Sequence, residues 1–373
     1  MRVACFSPLP PRRSGIADFS AALLPHLAHH VELQVFVEDS AAPIEGLCVR
    51  PGRDYRPAEF DLTLYQIGNN PDHVFVYDAA LAHPGVVVLH EFNLHHLIAE
   101  ATIRRGDWDA YLQEAEYNGG SEALAYARRV RTLEAGPDYE GVAMNRRLLE
   151  SSRAVMALNR FTADQVRRAG CAVPVGVIPH GAAVPEARRH EYRSRLGIDE
   201  TTPLLGIFGF LKPYKRIAES LRAFQRLVRL EPRARMILAG EEHPDLPLRR
   251  LIASLGLDAH VRVLGYVPIE DFVEYIGAVD ICISLRYPTA GESSGPLLRA
   301  LGLGRAVLVS DVGSFTELPG DICLKVPVGE QEVDFIYEYL NLLVERPEIA
   351  RAMGERARRW VLENCSWDRV ACQ

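Results

Sequence analysis

The sequence predicts an α/β protein built as two successive parallel-sheet domains, and three observations carry that prediction. Short apolar runs recur at residues 31–37, 62–67, 74–76 and 86–89, with helical or loop segments between them, which is the β-α-β rhythm of a parallel sheet. The same rhythm returns from residue 204 onward. Between the two series lies PHGAAVPEARRHEYRSRLGIDETTP (179–203), polar and proline-punctuated in the manner of an interdomain linker. At 373 residues the chain is long enough for two such domains, and 48% hydrophobic with 24% charged residues is the balance of a soluble globular protein.

Taken in order, residues 2–27 read as a buried strand, a loop and an amphipathic helix. The loop, PLPPRRSG, holds one glycine and three prolines, so it lacks the Gly-x-Gly-x-x-Gly that brings backbone against a pyrophosphate. A nicotinamide or flavin dehydrogenase is thereby disfavoured, and Gly15 with Arg12 and Arg13 reads first as a solvated turn. Residues 98–153 break the rhythm as a polar, helical, arginine-rich insertion with loop breaks near Gly119-Gly120 and Gly136-Pro137. Its arginine clusters read as a solvated helix face. Strands are expected again at 154–158 and 175–178. The second series then runs strand 204–210, helix 217–230, strand 235–239, helix 246–255, strand 261–264, helix 269–278, strand 279–285, a further helix, and strand 306–309. Residues 330–373 are largely helical in pattern.

Charge and cysteine usage narrow the class. A net charge of −7 argues against a general nucleic-acid binder. The 7 cysteines are scattered, with no C-x-x-C pair, which suits reduced thiols in a cytoplasmic protein and argues against a zinc site; no metal is expected. The chain enters a strand directly, without a signal peptide or long apolar span, so no membrane crossing is expected, while peripheral contact with the inner face of a membrane stays open.

The most informative stretch is AGESSGPLLRALGLG (290–304). Pro296 suits the first turn of a helix and Gly302 and Gly304 its end. Before the helix stand Glu292, Ser293, Ser294 and Gly295, whose small side chains leave backbone N–H groups able to meet an anion. A carboxylate beside such a site suits hydroxyls carried by a phosphate ligand, and a sugar diphosphate has both groups. Other candidates also follow strands, where ligands of parallel sheets bind. Lys212, Lys215 and Arg216 lie in LKPYKR after LLGIFGF, His90 and Glu91 follow VVVL, and Gly15 follows the first strand. Cations and a helix N-terminus brought to one cleft would stabilise the charge that develops on a diphosphate leaving group. HEFNLH (90–95) spaces its histidines at i and i+5, off one helix face, and so is no zinc-protease motif. Asp107-Trp108-Asp109 lies in the insertion and not at a strand end, and no G-x-S-x-G or G-x-x-x-x-G-K-[ST] occurs.

With those residues in view, the chain resembles, almost end to end, the retaining GT-B-fold glycosyltransferases of family 4, also described as glycosyl transferases group 1. FGFLKPYKRI (208–217), LGYVPIEDFVEYIGAVDICISL (264–285), GESSGPLLRALGLGRAVLVSDVGSFTEL (291–318), ALNRFTADQVRRAG (157–170), VIPHG (177–181) and ENCSWDRVA (363–371) carry the resemblance. It implies two Rossmann-like domains facing across a cleft. Residues 1–182 would form an acceptor-binding domain with its insertion at 98–153. Residues 183–355 would bind the nucleotide sugar, and a helix over 356–373 would cross back. It implies His90, Glu292 and Lys215 as catalytic residues. Gly15, Gly209, Lys212, Arg216, Gly265, Tyr266, Ser293, Ser294, Gly295 and Arg299 are implied around the donor, with Gly15 near the phosphates and backbone at Gly265 and Tyr266 near the base. Two positions depart from the family pattern. Arg299 or Ala300 stands where a second glutamate contacts the ribose, and an arginine accepts no hydrogen bonds; Phe210 replaces the usual arginine.

The expectation is therefore a metal-independent, retaining hexosyltransferase without a cofactor. It would move a sugar from a UDP- or GDP-linked donor to a glycan or lipid-linked acceptor, in polysaccharide or glycoconjugate synthesis. A nucleotide-sugar epimerase, a phosphorylase and a catalytically inactive nucleotide-sugar-binding subunit are the rival expectations.

Overall fold

A computed structural model describes residues 1–136, 139 and 141–373, so that Pro137 of the expected Gly136-Pro137 break lies outside the described residues. The chain forms two compact units. One comprises Met1–Gly181, Ala290–Ser293 and Trp367–Gln373, the other Ala182–Thr289 and Ser294–Ser366.

The first unit is built on seven strands, β1 (Arg2–Phe6), β2 (Glu32–Val37), β3 (Cys48–Pro51), β4 (Leu62–Ile67), β5 (Val86–Leu89), β6 (Ala154–Ala157) and β7 (Val175–Val177). They lie in the order β3-β2-β1-β4-β5-β6-β7, all parallel. The central strands β1, β4 and β5 are buried along most of their length because helices cover both faces of a parallel sheet. The edges β3 and β7 are the more exposed ones. Phe6 stacks on Phe36 with ring centres 5.1 Å apart, inside a core that also takes Tyr65, Ile67 and Leu89.

The second unit holds β8 (Leu204–Phe208), β9 (Arg235–Ala239), β10 (Val261–Gly265), β11 (Ile281–Ser284), β12 (Ala306–Ser310) and β13 (Leu324–Val326). Their order is β10-β9-β8-β11-β12-β13, again all parallel. Helix Ile217–Leu230 buries Ile217, Leu221, Phe224 and Leu227, a stripe at three- and four-residue spacing, against this sheet. Two parallel-sheet α/β domains of Rossmann-like build are thus present, in line with the expected fold class.

Four local readings are corrected. The run at 74–76 is not a strand but the start of helix Val74–Ala82. Asn70 accepts from the Asp72 amide at 3.0 Å and opens a turn at Pro71–His73 that runs straight into it. Strands β3 and β13 went unread because both are short and β3 alternates in burial like a loop. The stretch expected as a plain linker contains helix Arg189–Leu196, whose Arg193 is fully buried. Its guanidinium donates to the carbonyls of Ala278 at 2.9 Å and Asp199 at 2.6 Å and faces Asp280 at 3.4 Å, which satisfies a charge that water no longer can. Finally, the end of the chain is two helices, Pro347–Asn364 and Trp367–Cys372, broken at Cys365 and Ser366. Among the described residues no helix is long and apolar enough to cross a membrane.

Candidate active site

In the first unit the candidate residues gather at the carboxyl ends of β1, β4 and β5. Ser14 caps helix Gly15–Leu27 by accepting from the Ile16 amide at 3.3 Å, and Gly15 is its first residue. A side-chain carbon at Gly15 would meet nothing within 4 Å, so the helix start is open to approach. His90 follows β5 and is buried. Its Nε2 lies 2.8 Å from Oε1 of Gln66 on β4, and its ring meets Phe19 edge-on with centres 4.8 Å apart. Burial holds the imidazole well below the usual histidine range, and His180 and His73 nearby add to the shift.

The same unit contains the acidic loop. The Phe92 amide donates to the Ala290 carbonyl at 3.2 Å, which joins the segment after His90 to residues 290–293. Glu292 turns back so that Oε2 accepts from the Ala290 amide at 3.0 Å. The loop is gripped by helix Arg160–Arg168: Asn159, its cap, donates to the Gly291 carbonyl at 2.7 Å, and Thr162 Oγ1 donates to the same oxygen at 2.9 Å. Gly291 is at φ +84°, and a side-chain carbon there would sit 2.8 Å from Thr162 Oγ1, so only glycine fits. Ser293 Oγ lies 3.1 Å from Asn159 Nδ2, so its hydroxyl helps to fasten the loop. Asn159 and Thr162 were not singled out in the sequence, although Asn159 directly before a helical pattern is a cap signal.

In the second unit the expected helix is Gly295–Gly302, with Ser294 as its cap accepting from the Leu297 amide at 3.4 Å and Pro296 in the first turn. Lys215 is buried at the end of β8, its Nζ donating to the Phe208 carbonyl at 3.0 Å. Gly209, at φ +86°, lets it approach: a side-chain carbon there would fall 2.8 Å from Nζ and 3.3 Å from Pro296 Cγ. The ammonium therefore sits by the first turn of Gly295–Gly302. It also pulls down the Cys282 thiol on β11, although burial dominates and pushes that thiol up to about 12. Arg286, two residues past β11, is the residue that the sequence reading missed. It is buried and donates from Nη2 to Ser294 Oγ at 2.9 Å, at the same helix end. Two cationic side chains thus lie beside the start of one helix, where backbone N–H groups favour an anion.

The other expected donor residues fall into four groups. Lys212 lies over the Phe210 ring, Nζ 5.1 Å from its centre, at the end of β8. Gly265 closes β10 at φ +70°, its carbonyl accepting from Gly240, and Tyr266 beside it is half exposed. Arg299 is half-buried within the helix that Ser294 caps, one turn and more from its start. Arg216 is paired within the fold. Its Nε faces both carboxylate oxygens of Glu332, at 3.1 and 3.0 Å, and Glu219 lies 3.2 Å from Nη2. The guanidinium is thus held by two carboxylates of its own unit. Because Glu332 is 1% exposed, Arg216→Met should strand a buried charge and destabilise the protein by about 3 kcal/mol. Donor binding by the folded fraction should stay within about threefold, and urea midpoints beside ligand titrations check both.

The buried histidines predict acid sensitivity. His73 donates from Nδ1 to the Gln66 carbonyl at 2.8 Å, and burial lowers its pKa from 6.5 to about 4. The unfolded chain then binds more protons than the folded one between those values, so stability is present above pH 6.5 and lost as pH falls toward 4. From pH 7.5 to pH 5 this single group should remove about 2 kcal/mol, read as a lower urea midpoint. His73→Gln should shrink that difference.

Comparison with known proteins completes the site. Residues 188–360 match the family described as glycosyl transferases group 1. The chain is 25% identical, over 96% of its length and 93% of the relative's, to the GDP-mannose-dependent alpha-(1-6)-phosphatidylinositol monomannoside mannosyltransferase of Mycolicibacterium smegmatis. It is 28% identical to the MMP alpha-(1->4)-mannosyltransferase of Mycolicibacterium hassiacum, over 43% of this chain and 39% of that one. With the O-antigen chain mannosyltransferase B of Escherichia coli it shares 32% over 42% of each chain. The chain thus spans less than half the length of these last two relatives. Among solved structures, Anabaena Alr3699/HepE in complex with UDP-glucose is similar with a TM-score of 0.69 and 14% identity, over 100% of this chain and 98% of that one. At that identity the likeness speaks for the fold alone.

Proposed function

We propose that the chain, whose residues 188–360 match the glycosyl transferases group 1 family and which is similar almost end to end to a mannosyltransferase, moves a hexose from a UDP- or GDP-linked donor to an acceptor hydroxyl with retention of configuration. One observation carries the reading: Lys215, Arg286 and the start of helix Gly295–Gly302 converge at the ends of β8 and β11. In this reading the diphosphate binds there. Two cationic groups and backbone amides at Gly295 meet the charge that grows on the leaving oxygen as the glycosidic bond lengthens, so the step needs no metal or cofactor. Glu292 accepts from hydroxyls of the transferred sugar, and its carboxylate favours the positive charge of an oxocarbenium-like transition state. His90 contacts the same sugar as a neutral group. The acceptor hydroxyl attacks from the face that the leaving group departs, passing its proton to a diphosphate oxygen, which yields retention without a covalent enzyme intermediate.

Relatives named as mannosyltransferases and a fold neighbour solved with UDP-glucose support a nucleotide sugar as donor. The acceptor in this reading is a glycan or lipid-linked hydroxyl. The seven free cysteines suit a reducing, cytoplasmic setting. Thermal shifts with UDP, GDP and their sugars identify the donor, since a ligand of the folded state raises Tm. Product analysis with the donor so found should then give glycoside plus free nucleoside diphosphate. Sugar 1-phosphate or an epimerised donor would overturn the assignment. A second reading, a nucleotide-sugar-binding subunit without activity, is favoured by Arg299, since an arginine there cannot accept from ribose hydroxyls. Donor binding without transfer or hydrolysis across an acceptor panel would select it.

A further inference from the structure

Gln66 on β4 stands between two other strand ends of the first unit, and its amide has one donating and one accepting end. Its side chain neighbours Cys5 on β1 and lowers that thiol's pKa, against the larger upward push of burial, and both residues are almost fully buried. Its Oε1 lies 2.8 Å from His90 Nε2. An amide oxygen has only lone pairs to offer the imidazole, so across this contact the imidazole must be the donor. The proton then sits on Nε2 and Nδ1 keeps a lone pair. The position of Gln66 is itself fixed: β4 pairs with β5 through Gln66 and Val88, and the Gln66 backbone carbonyl accepts from His73. We propose that Gln66 is a positioning residue that locks His90 as the neutral Nε2–H tautomer, so that toward substrate His90 is an acceptor and selects a hydroxyl donor of the sugar over a phosphate oxygen.

The surroundings favour the neutral form. His73 from the turn Pro71–His73 and His180 after β7 are the titratable groups acting on His90, Cys5 lies beyond Gln66, and Phe19 closes one edge with an apolar ring. Each would repel or fail to solvate an imidazolium. Glu91, next in the chain, directs Oε1 to the Asn69 amide at 3.1 Å. The functional half of this inference rests on the glycosyl-transfer reading; the tautomer itself does not.

The tautomer is read directly from long-range proton–nitrogen correlations of the unsubstituted, nitrogen-15-labelled protein at pH 7. A protonated Nε2 and bare Nδ1 on His90 is the expected pattern, and a proton on Nδ1 overturns the proposal. In Gln66→Met the lock is gone, so both tautomers should appear and kcat should fall about tenfold, the loss of one oriented hydrogen bond. Gln66→Glu places a carboxylate against Nε2. It should raise the His90 pKa and bring an acid-side fall in kcat/KM up toward neutral pH, where the unsubstituted enzyme is flat. A role in packing alone would change Tm in these variants and leave the tautomer and the pH profile as they were, which would also overturn it. If the tautomer follows Gln66 while transfer ignores both substitutions, the lock stands and the placing of His90 at the sugar falls.

Discussion

Lys215→Met should lower kcat/KM for sugar transfer by about 10²–10³-fold, the loss seen when one preorganised donor to a developing negative charge is removed. Methionine keeps the length and most of the volume of the buried stem, so the packing of the β8 end should survive. What disappears is the ammonium that donates to the Phe208 carbonyl and stands by the first turn of Gly295–Gly302. Lys215→Arg should not rescue the loss. The ammonium sits 2.8 Å from where a side chain on Gly209 would begin, and a planar guanidinium fork does not fit the space of a point charge. Initial rates and calorimetric binding of the nucleoside diphosphate check both variants. Near-normal turnover of a folded Lys215→Met protein would remove the anion site from the mechanism.

Glu292→Gln should cost about 10²-fold in kcat while leaving donor affinity within a fewfold. The amide keeps an oxygen able to accept from the Ala290 N–H, so the loop fold is retained. Asn159 and Thr162 still hold the Gly291 carbonyl. The lost quantity is the full negative charge that favours a transition state with positive character at the sugar. A split between kcat and KM is therefore the diagnostic: a loss confined to KM would mean that Glu292 contributes ground-state binding only. Asn159→Ala offers an independent check, because it loosens the loop without touching the carboxylate and should give a smaller fall, about tenfold.

The two effects differ in how far the sequence announces them. Lys215 and Glu292 stand in loops that follow apolar runs, and position at a strand end is visible in a linear pattern. Arg286 follows a strand just as closely, yet it went unnoticed because nothing in Ser284 to Ser294 says that the guanidinium folds back onto the helix cap. Arg216 shows the opposite limit. Beside Lys215 in a basic loop it reads as a second cation for a ligand, but its partner Glu332 lies 116 residues away. Propensity and spacing report local neighbours, whereas burial pairs charges that are remote in the chain. The apolar run at 74–76 failed for a different reason: three apolar residues fit a strand or a helix equally, and the turn opened by Asn70 decides.

By itself, then, the sequence determined the α/β class, the two successive sheets and the residues at their carboxyl ends, since these follow from apolar periodicity and from glycine, proline and capping residues that act over a few positions. Only the tertiary structure decided which of the charged residues are committed to the fold and which stand at an anion site, as with Arg216 on Glu332 and Arg286 on Ser294. It also set the hydrogen-bond partner of His90, Gln66 on a neighbouring strand. The physical reason is the same in each case: a side chain's charge and hydrogen-bonding capacity belong to its residue type, but what they do depends on the partners that burial forces upon them.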